Sequence, residues 1–120
     1  MRTVLVVDDE KDMRKKFKRL LVTKGFKVIE APNALEVANI LMRQKSDLDL
    51  ILLDIQIGEL DGRDIFDIID EYAPVLPVIV TSVMPLNDQK LKIPRAADYF
   101  HKSDKDEVFL SKVCRLLGVA

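Results

Sequence analysis

Five short apolar runs alternate along this chain with segments that set apolar residues at helical spacing. The runs are VLVV (4–7), FKVIEA (26–31), LILL (50–53), VIV (78–80) and YFH (99–101). The first, third and fourth are continuously apolar, the pattern of strands covered on both faces. FKVIEA alternates only in part and YFH is short, so both read as edge strands.

The intervening segments carry helical faces. Met13, Phe17, Leu20 and Leu21 share one in 11–24, with Arg14, Lys15, Lys16, Lys18 and Arg19 over most of the remainder and Gly25 as a stop. That basic surface reads as a solvated face, with a kinase-binding surface as its other reading. Val37, Ala38, Ile40 and Leu41 make a second face in 34–44, behind Asn33 as N-cap. Ile65, Phe66, Ile68, Ile69 and Tyr72 make a third in 63–72, which ends near Pro74. Phe109, Leu110, Val113, Cys114, Leu116 and Leu117 make the last in 105–117, with Gly118 beyond it. The segment 84–97, MPLNDQKLKIPRAA, holds two prolines and a poor apolar period, which predicts a short or irregular helix at about 87–93.

This is a (βα)₅ pattern, and it predicts an α/β fold with a mainly parallel sheet and helices on both faces. Right-handed crossovers put every strand's C-terminal end on one edge, where ligands of such sheets bind. The residues at those ends then matter most. The first run leads into Asp8, Asp9 and Glu10, and the third into Asp54. If these two strands are neighbours, Asp8, Asp9 and Asp54 converge. Three close carboxylates stay ionised only beside a cation, and a hard divalent ion such as Mg²⁺ takes oxygen ligands of this kind. The fourth run offers Thr81 and Ser82 at the same edge, and the fifth leads through His101 to Lys102. Acids, a hydroxyl and a lysine around one carboxylate suit phosphoryl binding or transfer. The carboxylate can itself be the nucleophile, giving an aspartyl phosphate.

Taken together, VLVVDDE, LILLDIQIGELDG, LPVIVTSV and AADYFHK resemble the four motifs of the response-regulator receiver domain of two-component signalling, over 1–118. The resemblance implies the doubly wound, flavodoxin-like receiver fold with five parallel strands in the order 2-1-3-4-5, and a single domain over 1–120. It implies Asp54 as phosphoacceptor and Mg²⁺ (or Mn²⁺) as cofactor. Asp9 would ligate the metal directly, Asp8 largely through water, Asp54 with its carboxylate and Gln56 through its backbone carbonyl. Ser82 would be the switch hydroxyl and Lys102 the phosphoryl partner. Gln56, Val83 and Met84 would modulate the lifetime and accessibility of the phosphoryl group. Tyr99 matches the family's rotating aromatic, and plain edge packing is its other reading. His101 reads as structural. A sensor histidine kinase or phosphotransfer protein would be the donor, an output domain or target protein the receiver of the signal, and a phosphorylation-dependent dimer a further partner mode. The domain is expected to be a switch and not an enzyme, apart from self-phosphorylation and intrinsic dephosphorylation.

Three positions and one segment depart from the family pattern. Gly58 stands where proline is usual, four residues after the acceptor, so the loop should be more permissive in its dihedrals. Val83 stands where a small residue is usual, which predicts slow reaction with small donors such as acetyl phosphate and faster reaction of Val83→Ala. Ser103 stands where a cis proline is usual; a non-proline cis bond costs about 2.5–4 kcal/mol, so the Lys102–Ser103 bond should be trans. The segment 84–97 lacks the usual amphipathic fourth helix, which leaves the output mode open.

Composition bounds the rest. A net charge of −1 gives no argument for nucleic acid, and no apolar run approaches the ~18–20 residues of a membrane span. Charges interrupt the first run by residue 8, so no signal-peptide pattern is expected, and the cytoplasm is the default compartment. The single cysteine, Cys114, fits a reducing compartment and reads as a small apolar residue. Two other functions remain in view. One is a receiver-like interaction module without phosphate turnover. The other is an aspartate-nucleophile phosphatase, disfavoured because no cap domain fits in 120 residues and DIQ replaces the D-x-D spacing. A dinucleotide site is disfavoured too, since no glycine-rich turn follows the first run.

Overall fold

The computed structural model describes residues 1–58 and 60–119. The chain order is β1 (Thr3–Val7), α1 (Lys11–Thr23), β2 (Lys27–Ala31), α2 (Ala34–Gln44), β3 (Leu50–Asp54), α3 (Gly62–Tyr72), β4 (Val78–Ser82), α4 (Leu86–Lys92), β5 (Asp98–His101) and α5 (Asp106–Leu117). A 3₁₀ turn at Lys45–Asp47 leads into β3, and Gln56–Ile57 pairs antiparallel with Leu60–Asp61 in the loop that follows it. The five strands form one parallel sheet in the order 2-1-3-4-5, with β2 and β5 at the edges as expected.

Two cores cover the sheet, as continuous apolar strands require. Val4, Val6, Leu50, Leu52, Ile79 and Phe100 pack with Phe17 and Leu21 of α1 and Phe109 and Val113 of α5. Here the rings of Phe17 and Phe109 lie 4.7 Å apart, and Phe100 and Phe109 lie 5.3 Å apart. Leu5, Val7, Ile51, Leu53 and Val80 face the other way, toward Val37, Ile40 and Leu41 of α2 and Ile65, Phe66 and Ile69 of α3. Alternation along each strand therefore feeds two layers.

Local chemistry sets the helix ends. Asn33 Oδ1 accepts the Glu36 N–H at 2.9 Å, which caps α2, and Asp61 Oδ1 accepts the Arg63 N–H at 3.0 Å, which caps α3. The prolines at 85 and 94 bracket α4, which spans Leu86–Lys92, close to the expected segment. The helical faces are narrower than the sequence pattern suggests. Tyr72 is 55% exposed, and Met13, Leu20, Ala38 and Ile68 are only half-buried, because they lie at the flanks of their helices and not over the sheet. Among the described residues no peptide bond is cis, so Lys102–Ser103 is trans. No helix among them is long and apolar enough to cross a membrane.

Candidate phosphoryl-transfer site

Parallel pairing of β1 with β3, and of β3 with β4, brings the C-terminal ends of these strands side by side. Asp8 follows β1, Asp54 ends β3, and Lys102 follows β5; all three are buried. The Lys102 ammonium lies 2.8 Å from Asp8 Oδ2 and 3.3 Å from Asp54 Oδ2, with Glu10 Oε1 at 3.9 Å. Burial draws the lysine pKa down, but the carboxylates of Asp8 and Asp54 outweigh it and the net shift is upward. The ammonium is therefore charged at neutral pH. Asp54 also shifts up, but for the opposite reason: burial itself pushes its pKa up to about 6, with Lys102 opposing and Asp8 reinforcing.

The other acids are also held in place. Asp8 Oδ1 accepts the Glu10 N–H at 2.9 Å, and the Asp8 carbonyl accepts from Arg14 Nη1 at 2.7 Å. Asp8 Oδ2 is buried, and the Lys102 ammonium at 2.8 Å is its polar neighbour. Asp9 is exposed, and its Oδ2 accepts the Gly58 N–H at 2.8 Å. Asp54 Oδ1 accepts a long hydrogen bond, 3.4 Å, from the Gln56 N–H. Oxygens of Asp8, Asp9 and Glu10 come within 4.8 Å of one another. Glu10 was not assigned a role from the sequence, although it is the third acid of the DDE run. Three carboxylates, those of Asp8, Glu10 and Asp54, thus lie within 4 Å of one ammonium. Hard oxygen donors and surplus negative charge fit a divalent ion such as Mg²⁺ or Mn²⁺.

The loop after Asp54 is shaped by two glycines. Gly58 adopts φ +58°, a left-handed conformation that proline cannot take. Its N–H is the donor to Asp9, a bond proline would also lack. At Gly62 an added Cβ would lie 2.5 Å from the Ile55 carbonyl oxygen and 2.6 Å from that of Asp54. The turn into α3 therefore closes directly against the C-terminal end of β3.

At β4, Thr81 pairs with Asp54 in the ladder, and its carbonyl accepts the Ile55 N–H. Ser82 is buried and its Oγ accepts the Met84 N–H at 3.0 Å. Val83 is 72% exposed, and Met84 is partly buried. Tyr99 is turned inward: its ring is buried and its hydroxyl donates to the Ile93 carbonyl at 2.5 Å. Burial raises its phenol pKa. His101 has a structural part to play, since its Nδ1 accepts the Ser103 N–H at 3.2 Å and meets Ser103 Oγ at 2.8 Å. One residue of this neighbourhood has no signal in the sequence. Gln89, in the weakly periodic α4, is fully buried beneath the β4–α4 loop.

Similarity to known proteins points the same way. The family described as the response regulator receiver domain matches residues 4–113. A response regulator described as NtrX-like from Rickettsia conorii is 31% identical over 120 residues, 94% of this chain and 25% of that protein. The protein-glutamate methylesterase/protein-glutamine glutaminase 3 of Rhodospirillum rubrum is 34% identical over 109 residues, 87% of this chain and 29% of that protein. The chain thus spans about a quarter of the length of these relatives. Among solved structures, the response regulator TrrA of Thermotoga maritima, in complex with Mg²⁺-BeF, aligns with a TM-score of 0.87 at 26% identity, over 98% of this chain and all (100%) of that one. NtrX of Brucella abortus, in complex with ATP, aligns with a TM-score of 0.85 at 30% identity, over 97% of this chain and 27% of that one.

Proposed function

This chain belongs to the response regulator receiver domains of two-component systems, and from that membership we propose a phosphorylation-dependent switch with Asp54 as phosphoacceptor. The observation that carries this reading is the Lys102 ammonium, held 2.8 Å from Asp8 and 3.3 Å from Asp54 at the C-terminal edge of the sheet. A sensor histidine kinase or phosphotransfer protein is the donor. An Asp54 carboxylate oxygen attacks the phosphorus, the P–N bond to the donor histidine breaks, and its electron pair leaves with the imidazole. The nucleophile must be ionised, which its pKa of about 6 permits at neutral pH.

Asp8, Asp9, Asp54 and the Gln56 carbonyl are the groups that would hold Mg²⁺ or Mn²⁺, which when bound supplies charge neutralisation to phosphoryl oxygens. Lys102 moves its contact from the Asp54 carboxylate to the new phosphoryl oxygens, which carry about −1.5 to −2 by analogy with other phospho-residues. The Ser82 hydroxyl, freed from the Met84 N–H, donates to the same group. These exchanges favour a second arrangement of β4, β5 and Tyr99, a shift in population and not a new fold. Water then hydrolyses the acyl phosphate, and Gln56, Val83 and Met84 beside the site tune access and lifetime. No separate substrate is turned over, so the domain is a switch and not an enzyme. Relatives about four times longer suggest that the signal passes to an output domain or target protein, through a dimer or a direct contact. Histidine-kinase donors and a reduced, buried Cys114 suit the cytoplasm.

Radiolabelled acetyl phosphate with Mg²⁺ tests the reading. Wild type takes up label, EDTA abolishes it, Asp54→Asn takes up none, and Val83→Ala labels faster than wild type. Absence of label from acetyl phosphate and from a phosphohistidine donor alike would leave an interaction module. Steady turnover of a small phosphate ester without a kinase would indicate a phosphatase.

A further inference from the structure

Helix α4 turns a polar side chain inward. Gln89 has no exposed surface (0%), while Leu91 in the same helix is 81% exposed. An amphipathic helix normally does the reverse. The Gln89 amide earns its place through the main chain: Nε2 donates to the carbonyls of Met84 at 2.8 Å, Phe100 at 3.3 Å and Ser82 at 3.4 Å. The Ser82 carbonyl also accepts the Lys102 N–H at 2.8 Å. One side chain therefore ties the segment that carries the switch hydroxyl to β5, next to the lysine of the site. Met84 is held at both of its polar groups, its N–H by Ser82 Oγ and its carbonyl by Gln89.

The second half of the amide is not satisfied. Gln89 Oε1 is buried with no hydrogen-bond partner among the described residues. Turning the amide over would set this oxygen against three carbonyls, so the orientation is fixed by chemistry. An unpaired buried acceptor raises the free energy of the arrangement that contains it. The tie is thus specific in geometry.

We propose that Gln89 is a latch: a positioning residue that holds Met84, and through it the Ser82 hydroxyl, in the resting arrangement against β5. Opening the latch frees Ser82 to turn toward a phosphoryl group on Asp54. Gln89 acts through Ser82 and Met84 and not on the reacting atoms, and the proposal rests on the phosphoacceptor reading above.

Gln89→Met keeps the length of the side chain and removes the donors and the unpaired acceptor together. Wild type and variant are titrated with beryllofluoride in Mg²⁺, a tetrahedral probe for the phosphoryl position, and melted in its absence. The latch predicts that the variant binds beryllofluoride more tightly, by about threefold or more, although it melts lower. A purely structural role predicts a lower melting point with unchanged or weaker binding, and that result overturns the latch. If the variant does not fold, wild type labelled with ¹⁵N-glutamine decides. Of the side-chain amides of Gln44, Gln56 and Gln89, that of Gln89 should exchange slowly with solvent and shift on beryllofluoride binding. A Gln89 amide signal that stays unchanged on saturation overturns the latch. Wild type that neither binds beryllofluoride nor labels on Asp54 overturns the phosphoacceptor reading and the latch with it. Wild type that does both, with Gln89→Met matching it, overturns the latch alone.

Discussion

Asp54 is a buried charge that works against the fold. Its ordinary pKa of 3.8 rises to about 6 on folding, chiefly through burial. Between these values the folded chain binds more protons than the unfolded one, so stability falls as pH rises through that window and the full penalty stands above it. Asp54→Asn removes the penalty. In metal-free buffer at pH 8 the variant should be more stable by about 1–2 kcal/mol, the shift being discounted for solvent screening. The gain should shrink as pH falls and disappear below about pH 3, where Asp54 is protonated in both states. Urea unfolding at the two pH values checks both the size and the sign. Gly62 is the opposite case, a residue fixed by what surrounds it. With backbone oxygens 2.5 and 2.6 Å from an added Cβ, Gly62→Ala should lose about 2–3 kcal/mol of stability. Misplacing the Asp54 carbonyl should also slow phosphorylation, measured beside the melting point.

At the scale of elements, the parts readable in the sequence were those governed by one dominant effect. Continuous apolar runs became β1, β3 and β4 because both faces of each are covered. Asn33 was readable as a cap because a side-chain oxygen satisfies an orphan N–H locally. Asn33→Ala should lower stability by about 0.5–2 kcal/mol, with a matching fall in melting temperature and no change in phosphorylation rate. Exposure of Tyr72 was not readable, since periodicity gives a face but not how wide a stripe the sheet covers. The role of α4 was hidden for a related reason. Its apolar residues face solvent and its one buried residue is a glutamine, so the helix docks by hydrogen bonds that no hydrophobic pattern encodes. Gly58 sits between these cases. Its freedom in φ was expected, but its positive φ and its bond to Asp9 depend on the folded loop.

Across the whole molecule, the site exists because parallel topology sends every strand end to one edge. That is why Asp8, Asp54 and Lys102, 94 residues apart in the chain at their extremes (102 − 8), can be grouped from the sequence. Their pairing cannot. Whether Lys102 would bridge Asp8 and Asp54, and whether Asp9 would instead hold Gly58, depends on side-chain rotamers and competing charges. The same bridge links energetics to function: the ammonium that keeps Asp54 ionisable in a buried site is the group that a phosphoryl oxygen would recruit. The most direct test is chemical identification of the acceptor. The chain is incubated with acetyl phosphate or a phosphohistidine donor in Mg²⁺, reduced with sodium borohydride, digested and sequenced by tandem mass spectrometry. An acyl phosphate on Asp54 is reduced to homoserine, so the account predicts homoserine at position 54 and nowhere else, dependent on both donor and Mg²⁺. Unmodified aspartate at 54, or homoserine at another acid such as Asp8 or Asp9, would contradict it.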